Sequence, residues 1–178
     1  IMGGEITWVC IKDPGNPDDG KYIFKMKIYR DCDGTTLSTF SQTIDVWDGG
    51  VSPISSINLD WVSNTDISPA GDPVNSGNAC LDCNTNPIGA VEEYIYESQP
   101  IALVGTPPPA GWYFTWDSCC RNGATTNLVI SSTTNPIEGF TLRASMFPYI
   151  DAIGNIFPAD PCYDNSPKFN ESPKTIIC

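Results

Sequence analysis

The sequence predicts an all-β protein: an antiparallel β-sandwich, immunoglobulin-like or jelly-roll-like, with long loops and disulfide staples. Three observations carry this expectation. Apolar residues alternate with polar ones at a period of two in several short segments, and no useful length of chain has helical periodicity. Turn-forming residues, 15 Gly and 16 Pro among them, gather between those segments. Eight cysteines, an even number, stand in a chain that has no histidine.

The cysteines are Cys10, Cys32, Cys80, Cys83, Cys119, Cys120, Cys162 and Cys178. They are expected to form up to four bridges in an oxidising compartment, with connectivity left open. Each native bridge typically adds about 2–5 kcal/mol. They are not the sole source of stability, because a chain of 178 residues buries about 70% of its unfolded surface. One domain is expected over residues 1–178, with a long loop excursion at 63–89. The formal net charge is −12, with nine Lys+Arg against 21 Asp+Glu. Nucleic-acid binding is not expected, since phosphate contacts need a basic face. No apolar run approaches the ~18 residues of a membrane span. No signal peptide is present, so the secreted reading places Ile1 near a processed start. With a cysteine at position 178, the parent chain is expected to continue.

Taken in order, residues 5–11 (EITWVCI) form a first strand. Residues 13–20 (DPGNPDDG) are a turn by composition. Residues 21–30 (KYIFKMKIYR) alternate most cleanly: Tyr22, Phe24, Met26 and Ile28 share one face, and Lys21, Lys25 and Lys27 the other. A hairpin centred on that turn sets Cys10 opposite about Ile23 and carries Cys32 past the first strand's start. The two sulfurs are then roughly 30 Å apart at ~3.3 Å per residue, so Cys10 and Cys32 are expected not to bond to each other. Residues 39–47 and 51–62 read as strands around Asp48-Gly49-Gly50. Residues 90–98 resume extended structure after the 63–89 excursion, and GTPPPAG at 105–111 is a stiff connection.

Residues 111–121 (GWYFTWDSCCR) are the segment that organises the rest. Trp112, Phe114 and Trp116 recur at every second position and need a thick apolar layer to receive them. If the extended geometry persists, Cys119 and Cys120 leave opposite faces and bond in different layers. A last hairpin is expected from residues 126–131 and 139–147, followed by a loop-rich tail and a short strand at 175–178.

Candidate chemistry is sparse. Without His, His-based triads and His-ligated zinc sites are excluded. Cys80-x-x-Cys83 has no second spaced pair and no βαβ context, so it reads as structural disulfide. Glu92 and Glu93 are adjacent on a strand, face opposite ways and cannot flank one glycosidic bond. Asp31 and Asp33, with Asp13, Asn16, Asp18 and Asp19, are candidate oxygen ligands for Ca²⁺, against ordinary turn chemistry. Trp8, Trp47, Trp61, Tyr29, Tyr94, Tyr96 and Tyr113 are candidates for a sugar-stacking platform, against core packing. Arg121 and Asn122 read as structural, and Asn170-Glu-Ser172 fits a glycosylation sequon.

Several strings occur together: GGEITWVC at 3–10, YIFKMKIYRDCDG at 22–34, GAVEEYIYES at 89–98, GWYFTWDSCCRN at 111–122, GFTLRASMF at 139–147 and DNSPKFNESPKTIIC at 164–178. In these blocks the chain resembles the N-terminal region of large secreted surface proteins of Bacteroidota. The resemblance implies export by the type IX secretion machinery and an extracellular or cell-surface location. It also implies polycystic-kidney-disease-type or immunoglobulin-like repeats and a gliding-motility-type sorting domain further along the parent chain. The function expected is an adhesin-like or structural module that contacts another surface protein or its own copies in a filament or oligomer. A carbohydrate-binding module, with or without Ca²⁺, is the alternative, its partner a glycan. An enzyme is not expected, and no catalytic residue carries over.

Overall fold

The computed structural model describes residues 1–68, 81–118 and 139–167. Among them are nine strands and no helix: β1 (Gly3–Cys10), β2 (Tyr22–Asp31), β3 (Gln42–Trp47), β4 (Ser55–Asp66), β5 (Val91–Glu97), β6 (Trp112–Ser118), β7 (Phe140–Met146), β8 (Tyr149–Ile150) and β9 (Ile156–Phe157). The first seven join in the order β1-β2-β5-β4-β3-β6-β7, and β8 and β9 form a small separate hairpin. Every pairing is antiparallel. The expected all-β, antiparallel, disulfide-bonded architecture is what the chain adopts.

Two layers arise because β4 serves both. Its first half pairs with β3, ending at Leu59 against Gln42, and its second half pairs with β5 from Asp60 onward. A bulge between Trp61 and Ser63 bends the strand where it changes layer. At the far side β1 approaches β7 so closely that a Cβ on Gly4 would lie 2.8 Å from Leu142 Cδ1. The sheet is therefore a flattened, nearly closed barrel, with its core between the layers.

That core follows from alternation. On β2, Tyr22, Phe24, Met26, Ile28 and Arg30 are buried in turn, while the residues between them are half-buried. On β6, Trp112, Phe114 and Trp116 are buried. Phe24 meets Phe114 with ring centroids 4.7 Å apart, and Trp8 lies 6.0 Å from Phe24 and 5.6 Å from Phe114. All three pairs are tilted, the arrangement aromatic quadrupoles favour. Burying each such ring contributes about 1.5–3 kcal/mol.

Disulfides fasten both ends of β2. Cys10 bonds Cys162, with Cα atoms 5.6 Å apart, and Cys32 bonds Cys83 at 5.1 Å. Cys10 pairs with Tyr22 in the β1–β2 register, one residue from the expected Ile23, so Cys10 and Cys32 do lie at opposite ends. The segment carrying Cys162 continues along the outer edge of β1. There Trp8 N donates to Ser166 Oγ at 2.9 Å, Cys10 N donates to Asn165 Oδ1 at 2.7 Å, and Ser166 N donates to Trp8 O at 3.1 Å. This edge is thus capped by two side chains and one backbone bond of an irregular segment rather than by a strand.

Several expectations are corrected. The irregular excursion expected from residue 63 begins later: 63–66 extend β4 and pair with β5. Ser-Asn-Thr-Asp there is polar on both faces, so it carries no alternation to reveal a strand. The strand expected from Val51 begins at Ser55, because 48–54 form the turn, with Asp48 Oδ1 accepting from Gly50 N at 3.0 Å. Within the described residues β7 pairs with β6, in the register Trp112↔Met146, and the expected partner at 126–131 lies outside them. The expected short strand at 175–178 lies outside them too. The tail, expected as loop, contains the β8–β9 hairpin.

The approach of β1 to β7 yields a direct test. A Cβ on Gly4 would stand 2.5 Å from the backbone carbonyl oxygen of Lys27 as well as against Leu142. Gly4→Ala is expected to lower stability by about 1–3 kcal/mol, read from urea unfolding midpoints. In a Leu142→Ala background the loss persists, because the carbonyl contact remains.

Candidate functional site

Of the eight cysteines, Cys10, Cys32, Cys83 and Cys162 are in bridges. Cys80, Cys119, Cys120 and Cys178 lie outside the described residues, as do Arg121, Asn122 and the sequon at 170–172. Cys83 bonds across to Cys32, which gives half of the Cys80-x-x-Cys83 motif a structural role.

The carboxylates Glu92 and Glu93 separate as strand geometry requires. Glu93 pairs with Lys27 at 3.0 Å on the outer face, beside Lys25–Glu97 at 3.0 Å. Glu92 faces the other way and takes a 2.8 Å bond from Arg30 Nε, while Asn64 Nδ2 donates to its second oxygen at 2.5 Å. Arg30 is buried, and its remaining donors reach Gly34 O at 2.6 Å and Cys32 O at 3.3 Å. Burial pushes the Glu92 carboxyl up, but the bonds from Arg30 and Asn64 and the guanidinium charge outweigh it and hold Glu92 below its usual range. This network ties β2, β4, β5 and the Cys32 turn together.

Asp31 and Asp33 form a tight turn: Asp31 Oδ1 accepts from Asp33 N at 3.1 Å, and its carbonyl accepts from Gly34 N at 2.9 Å. The other candidate calcium ligands, Asp13, Asn16, Asp18 and Asp19, occupy the loop before β2, at the opposite end of that strand. At ~3.3 Å per residue the two sets are about 30 Å apart, so no single ion touches both. Among the described residues no three acidic or cysteine side chains gather as a ligand set.

The candidate aromatic platform divides. Trp8, Tyr94 and Tyr96 are core residues. Burial pushes the Tyr96 hydroxyl up to about 12, with nearby Tyr94 adding to the effect, and that hydroxyl donates to Ser38 O at 2.6 Å. Burial likewise pushes half-buried Tyr29 up to about 12, reinforced by Glu5 and Glu93. Trp47 and Tyr113 do form a row on an outer face: their rings stack at 5.9 Å, and the Arg143 guanidinium sits 4.0 Å from the Tyr113 ring centre. Trp61 is partly exposed on β4, outside this row.

The feature that sequence reasoning missed lies at the Cys10–Cys162 end. There β7 runs into the β8–β9 hairpin, which exposes Phe147 (65%), Ile150 (54%), Ile153 (85%) and Ile156 (58%). Beneath it Tyr149, Phe157 and Tyr163 pack at 4.8–5.5 Å. Beside it opens a cleft of about 380 Å³ lined by Trp8, Met146, Tyr149, Phe157, Tyr163 and Asn165. Val51, Ile54 and Val104 are exposed on the loops of the same end. Ile150, Ile153 and Ile156 are spaced at threes among Asp, Ala, Gly and Asn, a pattern that reads as loop. The available signal was the number of isoleucines in a segment otherwise composed for turns.

No protein-family model, no curated protein and no solved structure matches the chain. Fold and site together define a disulfide-bonded, all-β domain with an apolar end, and its bridges are consistent with an oxidising location.

The Arg30–Glu92 pair sets an acid limit on stability. Glu92 titrates lower in the folded than in the unfolded chain, so its contribution is present above the usual 4.5 and fades as pH falls through the lower, folded value. Glu92→Gln is expected to cost about 1.5–3 kcal/mol at pH 7 and progressively less in more acid solution, measured by urea unfolding across pH.

Proposed function

We propose that the domain is an extracellular attachment or structural module that works through protein contacts, and that the apolar end bearing the β8–β9 hairpin is its contact surface. The observation that carries this is the exposure together of Phe147, Ile150, Ile153 and Ile156 beside an apolar cleft. Apolar groups gathered in one exposed place are characteristic of interaction sites, whereas single exposed ones are ordinary. The residues beneath are fixed by ring packing and by the Cys10–Cys162 bridge, so the surface is preformed and loses little ordering entropy on contact. The sequence resemblance supports placing this contact at a cell surface, in a chain exported by the type IX machinery, with another surface protein or further copies as partner.

The test is the double variant Ile153→Asp/Ile156→Asp, in cells carrying the full parent protein. Both residues are exposed, so folding stability should move by no more than about 0.5 kcal/mol. Attachment or filament assembly is expected to fall to the level of a domain deletion; unchanged behaviour in both variant and deletion defeats the reading.

A second reading, carbohydrate binding, is favoured by the Trp47–Tyr113–Arg143 row. It expects signal on a glycan array that Trp47→Ala abolishes, and loss on chelation if Ca²⁺ takes part. A blank array removes it.

A further inference from the structure

We propose that the outer edge of β4 over residues 60–66 is a docking site for an extended, basic segment of another protein, which adds to the sheet as a further strand. The proposal rests on the attachment reading above but concerns a different surface.

Beyond Leu59, among the described residues, no strand pairs with β4 on the side away from β5. Ile67 N donates to Val91 O at 2.9 Å, so Ile67 and Thr65 turn their backbone groups toward β5. By alternation Asn64 and Asp66 turn theirs outward. Every residue from 60 to 66 is exposed except Ser63, which is half-buried, and Trp61 and Val62 are 38% and 53% exposed. Edges of this kind are usually blocked by lysine or proline. Residues 55–68 contain neither. The bulge at Trp61–Ser63 and the charges of Asp60 and Asp66 are the blocking devices here, and regular pairing with β5 resumes past the bulge.

Charge selects the occupant. The strand reads Asp-Trp-Val-Ser-Asn-Thr-Asp, acidic at both ends with no base between. Asp60 stands opposite Glu97 and Asp66 opposite Glu92, so the two carboxylates take opposite faces of the strand and a second copy is repelled by overall charge rather than by a direct pair. Each copy carries a net charge of −12. A strand with Lys or Arg facing Asp60 and Asp66, and β-branched or aromatic residues facing Trp61 and Val62, satisfies both the charges and the apolar side chains. Main-chain bonds supply the affinity and the flanking charges the selectivity.

The experiment uses a synthetic peptide of alternating valine and threonine with lysine at both ends, and a second with glutamate at both ends. Binding is read by fluorescence anisotropy, and its position by hydrogen exchange of the Asn64 and Asp66 amides. The lysine peptide is expected to bind at least about ten-fold more tightly than the glutamate peptide and to slow exchange at those amides. Val62→Lys, with unchanged thermal unfolding, is expected to abolish both effects. Absence of binding, binding without protection at 64 and 66, or protection that instead grows with protein concentration alone through self-association overturns the proposal. Loss of attachment in the Ile153/Ile156 variant alongside no peptide binding overturns this edge assignment and leaves the apolar-end reading standing.

Discussion

Phe24 against Phe114, 4.7 Å between ring centres, is the contact on which the rest depends. It joins the layer containing β2 to the layer containing β6, and neither ring retains any exposure. Because side chains alternate along a strand, fixing these two rings fixes the face of every other residue on both strands. A one-residue slip of β2 would bring Lys25 and Lys27 inward and Phe24 and Met26 out, at a cost no loop could offset. The outer ion pairs of Lys25 and Lys27 follow from that register; the more exposed of them, Lys25–Glu97, contributes little by itself.

Aromatic packing between layers does not reach the strand ends, and there the covalent cross-links act. Cys10–Cys162 holds the late segment that caps the edge of β1, and Cys32–Cys83 holds the loop that precedes β5. Closing loops with sequence separations of 152 and 51 residues restricts the unfolded chain by about 4–5 kcal/mol each in the entropic account. A domain with a full core gains from this where the core is absent: the irregular ends, whose backbone groups need partners. Asp66 illustrates it, accepting from Ser68 N and Cys83 N at 2.9 and 2.8 Å beside the second bridge.

What was legible in the sequence is what alternation encodes. β2 and β6 carry large apolar residues at every second position, so their strand character and buried faces could be read residue by residue, and the separation of Cys10 from Cys32 followed by arithmetic. The second half of β4 was not legible because it lacks an apolar face; its pairing comes from β5 alongside. Nor was the pairing of β6 with β7, since register across a long connection is a tertiary choice. The platform residues Trp8, Tyr94 and Tyr96 could not be told from Trp47 and Tyr113, because pattern gives a face and not which face is covered. The apolar end was hidden for a different reason: its isoleucines sit in turn chemistry, where periodicity says nothing.

The two surfaces differ in physics as well as position. The end at Cys10–Cys162 presents side chains and little free backbone, so contacts there scale with apolar area and respond weakly to salt. The edge of β4 presents backbone groups between two carboxylates, so contacts there are directional and weaken as salt screens Asp60 and Asp66. β4 itself explains the second of them. A strand that serves two layers must leave each of them part-way, and whichever half has left a layer stands without a neighbour on that side. β1 and β7, the end strands of the sheet, approach without pairing where Gly4 admits Leu142, and Asn165 and Ser166 cover the free edge of β1.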